Sequence, residues 1–240
     1  RGAELIKYAS NAFLATKITF INEISNLCEK TGVNVEDISL GIGSDNRIGG
    51  RFLRVGPAYG GSCFPKDTKG LVSAAEKYKT NLSIVKSVIN SNNKRVSLLT
   101  DRVHRILGKS LNNKKISILG VTFKPNTDDM RDSPSLDLIP ALIKQNYEVR
   151  VFDPEGMEEA KKSLIKYKSK IIWCKNAYEA ALNADVLVIL TEWNEFRALD
   201  LKKLKKLLKR NVIVDLRNIY NPIEIRENGF EYYSVGRVSL

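Results

Sequence analysis

The chain has 240 residues, 43% hydrophobic and 28% charged, and its 39 Lys+Arg against 27 Asp+Glu give a net charge of +12. That balance excludes disordered and fibrous classes, and the longest apolar run, Ala184 to Leu190, is broken by Asp185 and falls far short of a membrane span. Three scattered thiols, Cys28, Cys63 and Cys174, make no disulfide framework and point to a reducing, cytoplasmic setting; with one histidine and no Cys-x-x-Cys, no metal site is expected.

Residues from about 3 to 30 predict one long helix, free of Gly and Pro until Gly32. Leu5, Ala9, Ala12, Thr16, Phe20, Ile24 and Leu27 trace its apolar stripe, and Phe13, Leu14, Ile18 and Ile21 widen it. A helix apolar most of the way round is buried inside a domain or at a subunit interface. A short helix follows near Val35 to Ile42, then a Gly-rich loop from Gly49 to Gly61, a helix near Thr68 to Tyr78, and a long one from Asn81 to Leu107. Leu99, Val103 and Ile106 form the inner side of that last helix, with His104 off the stripe and expected at the surface.

After Gly108 the pattern changes. Strand-like runs span Lys115 to Val121, Glu148 to Phe152, Lys170 to Trp173, Val186 to Leu190, Val212 to Asp215 and Glu231 to Ser234. Helical patterns separate several of them, at Leu136 to Lys144, Met157 to Tyr167, Ala177 to Asn183 and Leu201 to Leu208. Alternating strands and helices imply an α/β fold with a parallel sheet covered on both faces. The expected layout is a helical domain over residues 1–108 and a Rossmann-like domain over 109–240, divided near Leu107–Asn113. The chain opens at Arg1, inside an amphipathic pattern and without an initiator Met, so it reads as the back part of something longer.

The densest basic run, Lys202 to Arg210, interleaves Leu201, Leu204, Leu207 and Leu208 at helical spacing, as the solvated face of a surface helix does. No zinc spacing or RNA-binding aromatic signature accompanies the charge, so nucleic acid is not an expected partner. Nor does any strand lead into Gly-x-Gly-x-x-Gly; the first sheet strand runs into Thr122-Phe123-Lys124-Pro125. This second domain is therefore not an ordinary NAD cradle.

Chemistry concentrates in Gly56-Pro57-Ala58-Tyr59-Gly60-Gly61-Ser62-Cys63-Phe64-Pro65-Lys66-Asp67. Adjacent glycines let a backbone approach a ligand closely. A helix N-terminus and Lys66 beside Cys63 favour a nucleophilic thiolate, and Asp67 is placed to hold or activate a water. An inert thiol in a turn with an N-capping Asp fits the same residues, and the physics alone leaves both readings open. Lys7 and Asn11, four residues apart on the first helix, offer a cation and an amide donor on one face, suited to a developing oxyanion.

Four segments together resemble the UDP-glucose 6-dehydrogenase family: Ala3 to Ile18, Gly60 to Asp67, Phe123 to Pro134 and Leu190 to Trp193. They follow the family's order and cover essentially the whole chain. The resemblance implies oxidation of UDP-glucose to UDP-glucuronate, a polysaccharide precursor, in two hydride transfers to NAD through a thiohemiacetal and a thioester on Cys63. It further implies that Lys7 and Asn11 stabilise oxyanions and that Asp67 acts as base or water-positioning group. Arg47, Phe52, Leu53, Gly60, Phe64, Lys66, Phe123, Lys124 and Arg217 are then the substrate-binding set, with Arg47 reaching a neighbouring subunit's substrate and Arg131 contacting the cofactor. The first long helix is expected to build a homodimer or larger oligomer. Missing is the family's amino-terminal NAD-binding Rossmann domain, so the chain alone is expected to be inactive. Two positions depart from the pattern: Ala58 stands where Gly is usual, which threatens a turn needing positive φ, and Leu216 replaces Gly before Arg217. A non-catalytic UDP-sugar-binding remnant and a GDP-mannose dehydrogenase are the alternative readings.

Overall fold

The computed structural model describes residues 2–108 and 114–237. Helix α1 (Gly2–Thr31), α2 (Val35–Gly43), α3 (Phe64–Lys77) and α4 (Ser83–Leu107) build a helical layer. The sheet part follows as β1 (Lys115–Leu119), α5 (Ser135–Lys144), β2 (Glu148–Phe152), α6 (Met157–Ser163), β3 (Ile171–Trp173), α7 (Ala177–Ala181), β4 (Val186–Ile189), α8 (Asn194–Arg197), α9 (Leu201–Leu207), β5 (Val212–Asp215), α10 (Pro222–Glu227) and β6 (Glu231–Ser234). All strand pairs are parallel and the order is β3-β2-β1-β4-β5-β6, so the chain reverses its direction of travel between β1 and β4. In such a sheet the crevice at the carboxyl ends of those two strands is the natural ligand position.

The strands form because Val and Ile runs, buried on both faces, satisfy a parallel sheet. One face packs against α4 and α5 in a core that joins Ile21, Val35, Leu99 and Val103 to Ile116, Val149 and Val186, so the helical and sheet parts share one apolar interior. The other face buries Phe152, Leu187, Phe196, Leu204 and Phe230. The expected division at Leu107–Asn113 falls largely on residues 109–113, outside the described residues.

Several boundaries differ from expectation, each for a local reason. Helix α3 starts at Phe64 rather than near Thr68, because Pro65 sits in the first turn, where a missing N–H costs nothing. Strand β1 stops at Leu119 because Gly120 turns at φ +88, and any Cβ there would lie 2.5 Å from Thr191 Cβ. The Met157–Tyr167 helix ends at Ser163 and continues as a 3₁₀ turn over Ile165–Lys170. His104 is no surface residue: it is half-buried and its Nδ1 lies 2.7 Å from the Tyr147 hydroxyl, linking α4 to the entry of β2.

The largest revision concerns α1. Its buried residues are Ala12, Ala15, Thr19, Asn22, Ser25 and Cys28 with Ile21, whereas Leu5, Ile6, Phe13, Phe20 and Leu27 are exposed. Small residues on the buried side let α3 and α4 approach closely, which leaves the bulky side chains facing outward. Cys28 and Cys174 are both buried, and burial pushes both thiols up.

The end of β6 is tied to the helical layer. Arg102 pairs with Glu29 and donates to the Ser234 carbonyl (2.5 Å), and Glu29 Oε1 also accepts the Gly236 N–H (2.8 Å). Removing one member of a largely buried pair strands the other. Arg102→Met is therefore expected to lower unfolding stability by about 3 kcal/mol, read as a reduced urea midpoint at unchanged slope; a midpoint equal to wild type would show that the tie contributes nothing.

Candidate active site

Cys63 is the N-cap residue of α3, and its side chain is exposed, with Ser62 Oγ 3.6 Å from the sulfur. The helix N-terminus thus points its free N–H groups toward the thiol itself rather than toward a site four residues later. Arg131 lies close enough that the Cys63 charge helps hold its guanidinium up, second to its pairing with Asp129. Asp67 is not a cap. It sits on the fourth residue of α3, fully buried, accepting Asn11 Nδ2 at 2.6 Å on one oxygen, while its other oxygen has no hydrogen-bond partner and lies 3.5 Å from Lys66 Nζ. Lys7 lies one turn before Asn11, exposed. So α1 and α3 pack such that an amide, a buried carboxylate and an exposed thiol share one corner, with lysines at its mouth.

Gly60 and Gly61 serve a purpose other than ligand approach. A Cβ on Gly60 would stand 2.2 Å from the Asp132 carbonyl oxygen, and one on Gly61, at φ +81, would stand 2.6 Å from the Phe123 ring. The Gly61 N–H donates to the Arg131 carbonyl at 2.8 Å. These glycines let the thiol loop dock directly on the loop after β1. That second loop is held in turn by Asp153, a residue that no sequence motif singles out: it is 1% exposed and accepts the Val121 N–H (2.7 Å), the Gly156 N–H (2.7 Å) and Trp193 Nε1–H (3.1 Å).

In front of the thiol loop lies a cleft of about 590 Å³, whose walls include Phe52, Arg54, Gly60, Phe64, Phe123 and Arg217. A second hollow of about 500 Å³, lined by Leu53 among others, shares Gly50, Arg54 and Arg217 with the first. Phe52 takes φ +65 and meets Phe64 edge-on, with ring centroids 6.0 Å apart. Arg217 is seated by Nε to the Leu190 carbonyl (2.9 Å), Nη2 to the Phe123 carbonyl (2.9 Å) and an ion pair with Glu192 (3.1 Å). Three guanidinium groups, those of Arg51, Arg54 and Arg217, among aromatic walls suit a diphosphate carrying flat or ring-shaped groups. Nothing in the sequence distinguishes Arg51 and Arg54 from other basic loop residues.

Lys66, beside Asp67, and three other expected contacts lie apart from these walls. Arg47 is clamped by Asp45 at 2.6 Å, its side chain is 90% exposed, and it lines neither hollow. Lys124 is exposed and leans over the Phe123 ring, 5.3 Å from its centroid. Arg131 is committed to Asp129 through Nε (2.9 Å) and Nη2 (2.7 Å). The two departures from pattern cause no strain: neither Ala58 nor Leu216 has positive φ, and the Leu216 N–H donates to the Ile189 carbonyl at 3.0 Å.

Among the described residues no group of three His, Cys, Asp or Glu side chains is placed to hold a metal, and no helix is long and apolar enough to cross a membrane. Nor is the loop after β1 shaped as a dinucleotide cradle. The single glycine after β1 packs against Thr191 instead of opening toward a pyrophosphate, and Arg131 offers only a paired guanidinium.

Comparison with known proteins agrees with this architecture. Residues 1–94 match the model of the UDP-glucose/GDP-mannose dehydrogenase family central domain, and residues 117–222 match that family's UDP binding domain. A UDP-glucose 6-dehydrogenase of Rhizobium meliloti (strain 1021) is 52% identical over 237 residues, covering 99% of this chain and 53% of its own length. One from Rickettsia typhi (strain ATCC VR-144 / Wilmington) is 47% identical over 234 residues, covering 98% of this chain and 54% of itself. Among solved structures, a UDP-glucose dehydrogenase from Pyrobaculum islandicum superposes with a TM-score of 0.86 at 32% identity, over 99% of this chain and 52% of that one. The chain thus spans about half the length of the relatives it matches. With both halves of the fold matched in order, the chain belongs to the UDP-glucose/GDP-mannose dehydrogenase family.

Proposed function

We propose that this chain supplies the substrate-binding and covalent-chemistry part of an NAD-dependent UDP-glucose 6-dehydrogenase, which oxidises C6 of the sugar to the carboxylate of UDP-glucuronate. The observation that carries the reading is the corner formed by exposed Cys63, buried Asp67 and Asn11, opening beside a cleft bordered by Arg54 and Arg217. NAD is the electron acceptor of this enzyme class, and its binding falls outside what the described residues hold.

The chemistry assigned to this chain begins at the aldehyde. The Cys63 sulfur adds to C6 and forms a thiohemiacetal, which retains a reactive intermediate. Lys7 and Asn11 donate to the oxygen as it gains negative charge. Once C6 is at the acyl level it is a thioester on Cys63. Water then attacks the thioester carbonyl, Asp67 takes its proton, and the sulfur leaves. Burial of Asp67 with one oxygen unbonded suits that role, since a free lone pair remains for the water. Arg217 and Arg54 hold the diphosphate, Phe52, Phe64 and Phe123 wall the sugar and base, Leu53 lines the deeper hollow, and Gly60, Lys66 and Lys124 border the approach. Arg131 is left for the cofactor side.

The outward apolar residues of α1, including Phe13, Phe20 and Leu27, suit a second copy of the chain, and Arg47, exposed and lining neither cleft of its own chain, is free to serve a neighbour. A cytoplasmic setting is consistent with three unpaired thiols.

Millimolar UDP-glucose is expected to raise the melting temperature of the chain by roughly 5–10 °C, as a ligand at about a hundredfold its Kd stabilises by about 2.7 kcal/mol. Arg217→Ala should remove most of that rise. A flat melting curve for wild type in the presence of UDP-glucose would count against the reading.

A further inference from the structure

Between α2 and α3, the stretch Gly56–Tyr59 belongs to no helix or strand, yet the backbone groups at both its ends are filled by side chains. The Gly56 N–H donates to Asn22 Oδ1 (2.9 Å), and the Gly56 carbonyl accepts from Arg95 Nε (2.9 Å). The Tyr59 N–H donates to Asn92 Oδ1 (2.9 Å), and the Tyr59 carbonyl accepts from Asn92 Nδ2 (3.2 Å). Side chains of α1 and α4 therefore take the place that a neighbouring strand would have in a sheet.

Arg95 is the most unusual member. It is 4% exposed and forms no ion pair among the described residues, since nearby Glu29 is taken by Arg102. Its Nη1 donates to the Asn22 carbonyl (2.9 Å) and Asn26 Oδ1 (3.1 Å), and its Nη2 to Ser25 Oγ (3.3 Å). Burial pushes its guanidinium down to about 10. A buried cation whose hydrogen bonds all go to neutral oxygens, with Glu29 acting only from a distance and shared with Arg102, is a poor choice for stability alone, because an apolar side chain would fill the space without the desolvation cost. A planar fork is, however, suited to bridging a loop carbonyl and a helix in one fixed geometry.

The stretch it fixes is also a wall of the site. Gly56, Ala58, Tyr59 and Gly60 line the front cleft. A Cβ on Gly56 would be 3.1 Å from Arg217 Nη1, so the position of Gly56 sets where that guanidinium can lie. Gly61 then docks on the Arg131 carbonyl, two residues before the thiol.

We infer that Arg95, with Asn22 and Asn92, is a positioning residue for the nucleotide-sugar site: by holding both ends of Gly56–Tyr59 it fixes the spacing between the cleft wall, Arg217 and Cys63. The inference rests on the proposed function for its ligand but not for its thiol. Two readouts on the folded chain separate positioning from general stability. One is the Kd for UDP-glucose by calorimetry. The other is the rate of Cys63 alkylation by iodoacetamide, which forms an S–C bond and releases iodide, with buried Cys28 and Cys174 silent.

For Arg95→Met, UDP-glucose binding weakens by about tenfold or more and the alkylation rate shifts by about threefold or more, in a chain still folded by circular dichroism. Arg95→Lys fails to restore either value, because one ammonium cannot span the loop carbonyl and α1 together. Asn92→Asp moves both readouts in the same sense, as its carboxylate would face the Tyr59 carbonyl with no donor. Should Arg95→Met not fold, half-buried Asn92 carries the test. Folded Arg95→Met or Asn92→Asp chains with wild-type Kd and wild-type alkylation would overturn the inference. A wild-type chain that binds no UDP-glucose would instead remove the proposed function, and the alkylation rates would then decide the positioning role by themselves.

Discussion

Gly60→Ala is expected to destabilise the chain by about 3 kcal/mol, which for a chain of this size lowers the melting temperature by roughly 6–12 °C. The added methyl would stand 2.2 Å from the Asp132 carbonyl oxygen and 3.0 Å from its carbon, distances that no side-chain adjustment relieves because both atoms are backbone. One loop must retreat. The retreat strains the Gly61 N–H bond to the Arg131 carbonyl and separates the thiol loop from Phe123, so the UDP-glucose response should fall with the stability. Gly41→Ala is the control. Gly41 lies inside α2 with nothing within 4 Å of a new Cβ, so the same change there should gain up to about 1 kcal/mol through helix propensity. Differential scanning calorimetry of the pair decides the matter: equal melting temperatures for Gly60→Ala and wild type would mean that the two loops are not in close backbone contact.

The layout of the fold was legible because its elements are locally self-consistent. Val186 to Leu190 and Val212 to Asp215 can satisfy no structure better than a buried parallel strand, and the Lys-Leu interleaving at Leu201 to Leu208 does place Leu204 and Leu208 inward with the lysines in solvent. Helix α1 was legible in extent but not in orientation. The expected apolar stripe includes Ala12 and Ile21, which are buried, but also Leu5, Phe13, Phe20 and Leu27, which are exposed, whereas Ala15, Thr19, Asn22 and Ser25 complete the packed side. Close helix approach selects small residues, and the loop it supports selects polar ones, so residue size misleads where packing distance rules. The site was legible where chemistry is local, as in Cys63 followed four residues later by Asp67. It was illegible where the partner is distant in sequence. Nothing near Gly60 announces that Asp132 will press on it, and Arg95 looks like any basic residue of a polar helix until Gly56 is placed beside it. Asp153 is the same case: its acceptors matter only once Val121, Gly156 and Trp193 surround them.

Cys63→Ala offers the sharpest separation of chemistry from fold. The thiol is exposed, caps α3 through its backbone alone, and among the described residues has Ser62 Oγ as its one hydrogen-bonding neighbour, at 3.6 Å. Truncating it should therefore change stability by no more than about 0.5 kcal/mol, the usual range for a surface substitution. UDP-glucose binding should also hold, because the cleft is walled by Phe52, Phe64 and Phe123 and charged by Arg51, Arg54 and Arg217, and Cys63 is not among its lining residues. On the proposed function, NAD-dependent formation of UDP-glucuronate should nevertheless drop by about a thousandfold or more, the scale on which a covalent nucleophile contributes. Asp67→Asn makes the complementary case. It keeps an oxygen for Asn11 Nδ2 but removes the carboxylate that would take water's proton, so thioester hydrolysis slows and acylated Cys63 accumulates, detectable as a mass increase on the intact protein. A Cys63→Ala protein that still delivers UDP-glucuronate at near wild-type rates would rule out the covalent route. The corner of thiol, amide and carboxylate would then be a docking surface for the sugar and not the place where its bonds are made.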